Sequence, residues 1–303
     1  MLPRSRILSV LLLGLGVTLL MVGVAYPRVS VLGQVVPLDA VDYVLVDDSA
    51  QLRLVGGEVE PAPVERAFHV EYTDPKNNET ATVRVGASVG RTDRESDLAG
   101  LLTAEVYSYV LNRTTAEVEA SAAPTVAEQL ATPPRSVDMV GSLWWAFPPA
   151  ATGEVYPVWD PVLRSPIEAH RTSAETFVQE IPATNVAEKY SNAFTEPAPG
   201  RVLWYEGTRT FTVDEATGVI VNVAEKLHTW EASAEGEDPV DVLVFDGRLS
   251  EVSQARAQEL AAQQTDPRVV TGVSAAVAGV GGLLGLLGAI GVVGVFDRRG
   301  RKR

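Results

Sequence analysis

The chain has no cysteine at all. That excludes a disulfide framework, a thiolate nucleophile and a zinc site built on sulfur. Histidine is nearly as scarce: His69, His170 and His228 are the three, and no two stand at metal-ligand spacing. No metal site and no cofactor are expected. Basic residues are few, 25 against 39 acidic, and the formal charge of −14 excludes phosphate-backbone binding, which needs dense Lys and Arg. Lysine is rarer still, with Lys76, Lys189, Lys226 and Lys302 the only ones. The acidic runs Asp47-Asp48 and Glu235-Gly236-Glu237-Asp238 lack the ligand spacing of a calcium loop and read as solvated loops.

What is present in quantity is apolar residue, unevenly spread. Ile7–Tyr26 and Val269–Phe296 carry no charge, and about 20 residues suffice to cross a bilayer core. Arg4 and Arg6 precede the first run, and Arg298, Arg299, Arg301, Lys302 and Arg303 follow the second. The positive-inside rule then puts both ends in the cytoplasm. The expected layout is a cytoplasmic tail at 1–6, a membrane helix at 7–26, an exported region at 27–268, a second membrane helix at 269–296 and a basic tail at 297–303. A cleaved signal peptide is the alternative for the first run, because Gly23-Val24-Ala25 offers small residues before Tyr26-Pro27. Without the tails and Asp297 the exported part has 18 basic and 38 acidic residues, a net charge of −20. A Lys-poor acidic surface with normal apolar content fits concentrated salt, where screening removes carboxylate repulsion. An Arg-rich codon bias is the plainer alternative.

The exported region reads as mainly β, an antiparallel meander or partly open barrel with a few short helices. Period-two runs recur at 43–46, 67–72, 80–85, 106–111, 202–205, 209–213, 219–223 and 240–245. Turns at 74–78 and 214–218 join two pairs of them. Helices are expected at 184–194, with Asn185 and Glu188 as a capping box, and at 250–264. Tyr109–Val118 echoes Phe211–Ile220, each a strand, an Asx turn, a threonine and a strand; duplication and a common hairpin form both explain it. The Pro-rich stretches between 124 and 150 suggest a subdivision there.

Several segments resemble an actinobacterial and haloarchaeal family of two-span envelope proteins of unknown activity, labelled porin PorA. They are Tyr26-Pro27, Val155-Tyr156-Pro157-Val158-Trp159-Asp160-Pro161, Val178–Thr184, the Arg209–Asn222 hairpin and the terminal span with its basic tail. The turn Asp214-Glu215-Ala216-Thr217-Gly218 departs from the Asp-Pro form expected there. The resemblance implies a membrane-anchored envelope protein and supplies no catalytic residues. A transmembrane barrel needs an outward apolar band on many strands, which net −20 between two helical spans argues against.

Few residues invite chemistry. Gly86-Ala87-Ser88-Val89-Gly90 matches the nucleophile-elbow pattern, but the charged Arg91–Glu95 follows where a buried helix is required, so Ser88 is a weak catalytic candidate. Trp144, Trp145, Tyr156 and Trp159 could line an apolar groove, or pack as core between Pro-fixed turns. Asn78 and Asn112 head N-glycosylation tripeptides. Gly281, Gly285 and Ala289 form a small-residue row that would pack on the first span, on a second copy or on a partner. The expectation is a non-enzymatic surface protein that binds or passes a lipid-like ligand or organises the envelope. Two anchors around one β domain is also the layout of scavenger-receptor lipid carriers. The alternatives are an ectodomain for protein partners or sensing, and, less favoured, a serine hydrolase.

Overall fold

The computed structural model describes residues 4–32, 35–54, 56–94, 96–119, 125–128, 135–186, 197–263 and 267–292. It divides into two compact units, residues 1–34 with 265–303, and residues 35–264.

The larger unit is one antiparallel sheet. Its strands are β1 (Val41–Arg53), β2 (Val59–Lys76), β3 (Thr80–Arg91), β4 (Leu101–Asn112), β5 (Thr125–Glu128) and β6 (Arg135–Ser136), then β7 (Val155–Asp160), β8 (Ser165–Arg171), β9 (Thr176–Asn185), β10 (Val202–Val213), β11 (Ile220–Ala232) and β12 (Val240–Leu249). The order is β6-β5-β4-β3-β2-β1-β12-β11-β10-β9-β8-β7, so chain neighbours pair throughout except β6 and β7, which are the two edges, and β1 also pairs with β12. Strict alternation sorts the faces. On β2, Ala62, Val64, Phe68 and Val70 are buried, while His69 and Glu71 lie at the surface; on β12, Leu243, Phe245 and Leu249 are buried, while Asp246 and Arg248 are exposed.

The expected runs coincide with β1–β4 and β10–β12, with 202–205 and 209–213 fused into one strand and the run 219–223 starting one residue before β11. Strands β7, β8 and β9 were not expected, and each contains a proline: Pro157, Pro166 and Pro182. Proline breaks a ladder except at an edge or a bulge. Here β7 is an edge strand, and Pro182 falls where the β9–β10 register slips between Tyr205 and Gly207.

A short α2 (Asp97–Gly100) precedes β4, and α3 (Glu251–Gln263) follows β12. Ser250 begins α3, its Oγ accepting from Ser253 N at 3.3 Å, and Ser253 Oγ accepts from Val44 N at 3.1 Å, which docks the helix on β1. Buried Ser253, Ala257 and Leu260 form its inner stripe. The expected helix at 184–194 begins on what is the end of β9, and Val186 N donates to Leu203 O at 2.8 Å; residues 187–194 lie outside the described residues.

The smaller unit holds α1 (Arg4–Leu32) and α4 (Pro267–Val292). Among the described residues, α4 alone contains a stretch long and apolar enough to cross a bilayer, Gly272–Ile290 with mean hydropathy 2.0; α1 carries the shorter apolar stretch Ser9–Ala25. The two helices touch through glycine. A Cβ on Gly16 would collide with the backbone of Gly285, and one on Gly281 would stand 2.8 Å from Gly16 O. A Cβ on Gly288 would stand 2.8 Å from Ser9 O, and one on Gly23 would stand 2.7 Å from Ser274 O. Ala289 lies instead on the exposed side. At 3.6 residues per turn, position 289 is rotated about 80° from Gly281, whereas Gly288 is rotated only about 20°. The seam therefore follows Ser274, Gly281 and Gly288, and Gly16 and Gly23 opposite. Large side chains such as Leu11, Leu15, Met21, Leu283 and Leu286 point outward. Small residues inside and large apolar ones outside is the arrangement of helices packed in lipid.

Candidate functional site

The interior of the curled sheet is filled by the chain itself. Residues 139–151, expected to lie near a boundary, cross it as a plug. Ser142 O accepts from Val118 N at 2.9 Å, Leu143 exchanges bonds with Pro157 O and Trp159 N at 2.8 Å each, and Phe147 N donates to Gly218 O at 3.0 Å. Trp145 stacks on Tyr43 of β1 with centroids 4.7 Å apart, and lies 4.4 Å from Phe68 of β2. Trp144 meets Tyr107 of β4 edge-on at 4.7 Å, and Phe147 stacks on Phe177 of β9 at 4.8 Å. Each such pair adds about 0.5–1.5 kcal/mol beyond the area it buries. An extended chain would point Trp144 and Trp145 to opposite sides. The left-handed backbone of Trp145, φ +57°, breaks that alternation, and both rings are buried. Such strain in a bulky residue persists only where its surroundings hold it.

The two echoing hairpins grip the plug. Asn112 N donates to Glu117 O and Asp214 N to Val219 O, both at 2.8 Å, and the fourth residue after each Asx has positive φ, Ala116 at 57° and Gly218 at 73°. One hairpin binds Ser142 and the other Phe147. Gly218 has no room for a side chain, since a Cβ would run into Phe147 O.

Beside the plug runs a buried ladder of polar groups that the sequence reading missed. Arg66 on β2 bonds Glu225 on β11. Glu225 Oε1 accepts from Arg209 Nε on β10 at 2.5 Å. Arg209 Nη1 donates to Gln179 Oε1 on β9 at 2.7 Å and lies 3.1 Å from Asp160 Oδ2 on β7. Tyr205 OH donates to Asp160 at 3.1 Å, and Gln179 Nε2 donates to Val158 O at 2.8 Å. All six are buried. Burial opposes the charge on Glu225, but Arg66 and Arg209 outweigh it and hold the carboxyl below its usual range. Burial likewise opposes the Arg209 charge, and Glu225, Tyr205 and Asp160 together hold the guanidinium above its ordinary value. Burial and then Asp160 push the Tyr205 phenol up. The ladder is charge-balanced, two cations against two anions. A sequence signal existed: Arg66, Arg209 and Glu225 stand at the inward phase of their strands, between Val64 and Phe68, Tyr205 and Phe211, Val223 and Leu227.

Trp144, Trp145 and Trp159 are thus core residues at 4%, 6% and 0% exposure, and Tyr156 is partly buried against Phe147 and Phe177. The rings pack on one another and on the strands, and the cavity beside Trp144, Trp145 and Trp159 is about 10 Å³. Ser88 lies in mid-β3, paired with Ala67 and Ala104, so it stands on no strand-to-helix elbow. Near it, Glu105 on β4 is pushed above its usual range by burial, against a 2.5 Å hydrogen bond from Tyr107 OH and the nearby Arg164. His69 faces Asp42 across the β1–β2 ladder at 2.5 Å, His170 is exposed on β8, and His228 Nε2 lies 2.8 Å from Asp241 Oδ1. Among the described residues no three His, Asp or Glu are grouped to hold a metal ion. Asn78 is exposed in the β2–β3 turn. Asn112 is tied down, its Oδ1 accepting from Thr114 N at 2.9 Å and Thr115 N at 3.1 Å, and its Nδ2 donating to Glu119 at 3.0 Å.

Fold and site together define an antiparallel meander curled around its own plug and a balanced charge ladder, on a chain that also carries an apolar helix pair. The chain belongs to the Porin PorA family, whose model matches residues 8–291. Family membership and the apolar helix α4 support a membrane location. A comparison with curated proteins gave no match. One solved chain, from work titled "Structural insights into dehydratase substrate selection for the borrelidin and fluvirucin polyketide synthases", is similar at 16% identity over 78% of each chain. Its TM-score of 0.13 carries no argument.

Proposed function

We propose that the protein is a non-enzymatic envelope protein, held in the membrane by α1 and α4, whose closed β unit contacts other envelope components from the aqueous side. Both termini are cytoplasmic in this reading, following the basic residues that flank the two apolar runs. One observation carries it. The sheet is apolar inside and polar outside, with Glu71, Lys226, Asp246 and Arg248 at the surface, whereas a membrane-spanning barrel needs the reverse. The plug and ladder fill the space that a conducting or lipid-carrying interior would need. Contact through the surface is therefore favoured over passage of an apolar ligand, which would require residues 139–151 to leave.

Two measurements on the full chain test the proposal. Reconstituted in planar bilayers it is expected to give no conductance steps, and native mass spectrometry from detergent is expected to show no lipid that survives mild activation. Reproducible conductance, or a stoichiometric lipid adduct, would overturn the closed-unit reading.

A further inference from the structure

Two indole N–H groups in the interior have no acceptor. Trp145 and Trp159 are 6% and 0% exposed, and among the described residues neither Nε1 finds a hydrogen-bond partner. A buried donor left unpaired is costly, and native interiors rarely tolerate one. Both residues line the same cavity, with Phe68, Arg209, Phe211 and Glu225 among its other walls. Its volume is about 10 Å³. Room of roughly that size holds one water molecule, provided two to four polar partners surround it.

The walls select among small occupants. A metal cation would meet two indole donors and a guanidinium, with one carboxylate to bind it. An anion would lie against Glu225 and add a charge to a ladder in which Arg66 and Arg209 already balance Glu225 and Asp160; an uncompensated buried charge is strongly unfavourable. An apolar group would leave both indoles unpaired. Water both accepts and donates. We propose that Trp145 and Trp159 bind one long-lived internal water, which accepts from both indole N–H groups and donates to the Glu225 carboxylate. The water joins the plug, through Trp145, and the edge strand β7, through Trp159, to the charge ladder. The site holds independently of the proposed function, because it depends only on the interior of the β unit.

The test uses the native full chain in detergent with its five tryptophans labelled at the indole nitrogen. Single Trp→Phe variants assign the five resonances. Magnetisation transfer from water is expected at the Trp145 and Trp159 indole protons, with the sign of a water bound for longer than a nanosecond. Trp204, whose Nε1 already donates to Ser233 O at 3.2 Å, is the internal control and is expected to show none. Absence of transfer at either Trp145 or Trp159 would overturn the shared water site. So would an anomalous bromide peak between the two indoles in crystals of the full chain grown in bromide, which would make the occupant an anion.

Discussion

Glu225→Gln probes the ladder at its centre. The substitution keeps the side-chain volume but removes the charge that Arg66 and Arg209 share, and places an amide donor against a guanidinium. Two buried cations then face Asp160 alone. Glu225 is 1% exposed, so bulk water cannot take the place of the carboxylate. Removing one partner of a buried pair costs about 3–5 kcal/mol. For a unit the size of Val35–Gln264 each kcal/mol moves the midpoint by about 2–4 °C, so Tm is expected to fall by roughly 6–20 °C. Tryptophan fluorescence of the full chain in detergent follows the melt, because the buried Trp144, Trp145 and Trp159 report the interior. Arg209→Met is expected to cost more than Arg66→Met, since Arg209 has Glu225, Gln179 and Asp160 as partners and Arg66 bonds Glu225 alone among them. A fall under about 2 °C for Glu225→Gln would refute the reasoning and show that the ladder is open to bulk solvent.

Four other predictions follow from separate features. Gly218→Ala forces a side chain into Phe147 O at a left-handed backbone, and is expected to lower Tm by more than 5 °C, by about 2 kcal/mol or more; Ala116→Gly at the matching turn is expected to raise stability by about 1 kcal/mol in the same melt. Glu225 titrates below its ordinary 4.5, so its contribution is present above that value and is lost as pH falls through the depressed one; Glu105 titrates above 4.5, so its contribution is present below that value and is lost as pH rises through the raised one. Stability against pH for Glu105→Gln is therefore expected to lose its decline on the alkaline side of 4.5, while Glu225→Gln flattens the acid side. Gly281→Leu or Gly16→Leu is expected to separate α1 from α4, read as loss of energy transfer between labels on the two helices, whereas Ala289→Leu on the exposed side leaves it unchanged. In a host that N-glycosylates, Asn78→Gln is expected to remove a mass increment that Asn112→Gln does not, because the Asn112 amide is held in its turn.

Most strands were legible because inward Val, Leu, Tyr and Phe alternate with polar residues in β1–β4 and β10–β12. Strands β7–β9 were not, since Pro157, Pro166 and Pro182 read locally as breakers, and only the edge position or a register slip makes them acceptable. The plug was hidden for another reason. Trp144-Trp145 has no periodicity, and its burial depends on contacts with strands far away in sequence, with Tyr107 on β4, Phe68 on β2 and Tyr43 on β1. The ladder could have been found: a lone charge at the inward phase of an otherwise apolar row marks Arg66, Arg209 and Glu225. The helix seam was half legible. Glycine content pointed to close packing, but the four-residue row through Ala289 drifts off the contact face that seven-residue spacing keeps.

The central claim is that the sheet faces water outside and is closed inside, and the protein's own tryptophans test it. All five lie in the β unit, Trp204 and Trp230 on its outer face with partly exposed rings, and Trp144, Trp145 and Trp159 within. The full chain reconstituted in liposomes of lipid brominated along the acyl chains is predicted to keep its fluorescence, while aqueous acrylamide quenches the fraction belonging to Trp204 and Trp230. Strong quenching by the brominated lipid, with acrylamide ineffective, would place the outer face of the sheet in the bilayer and contradict the account.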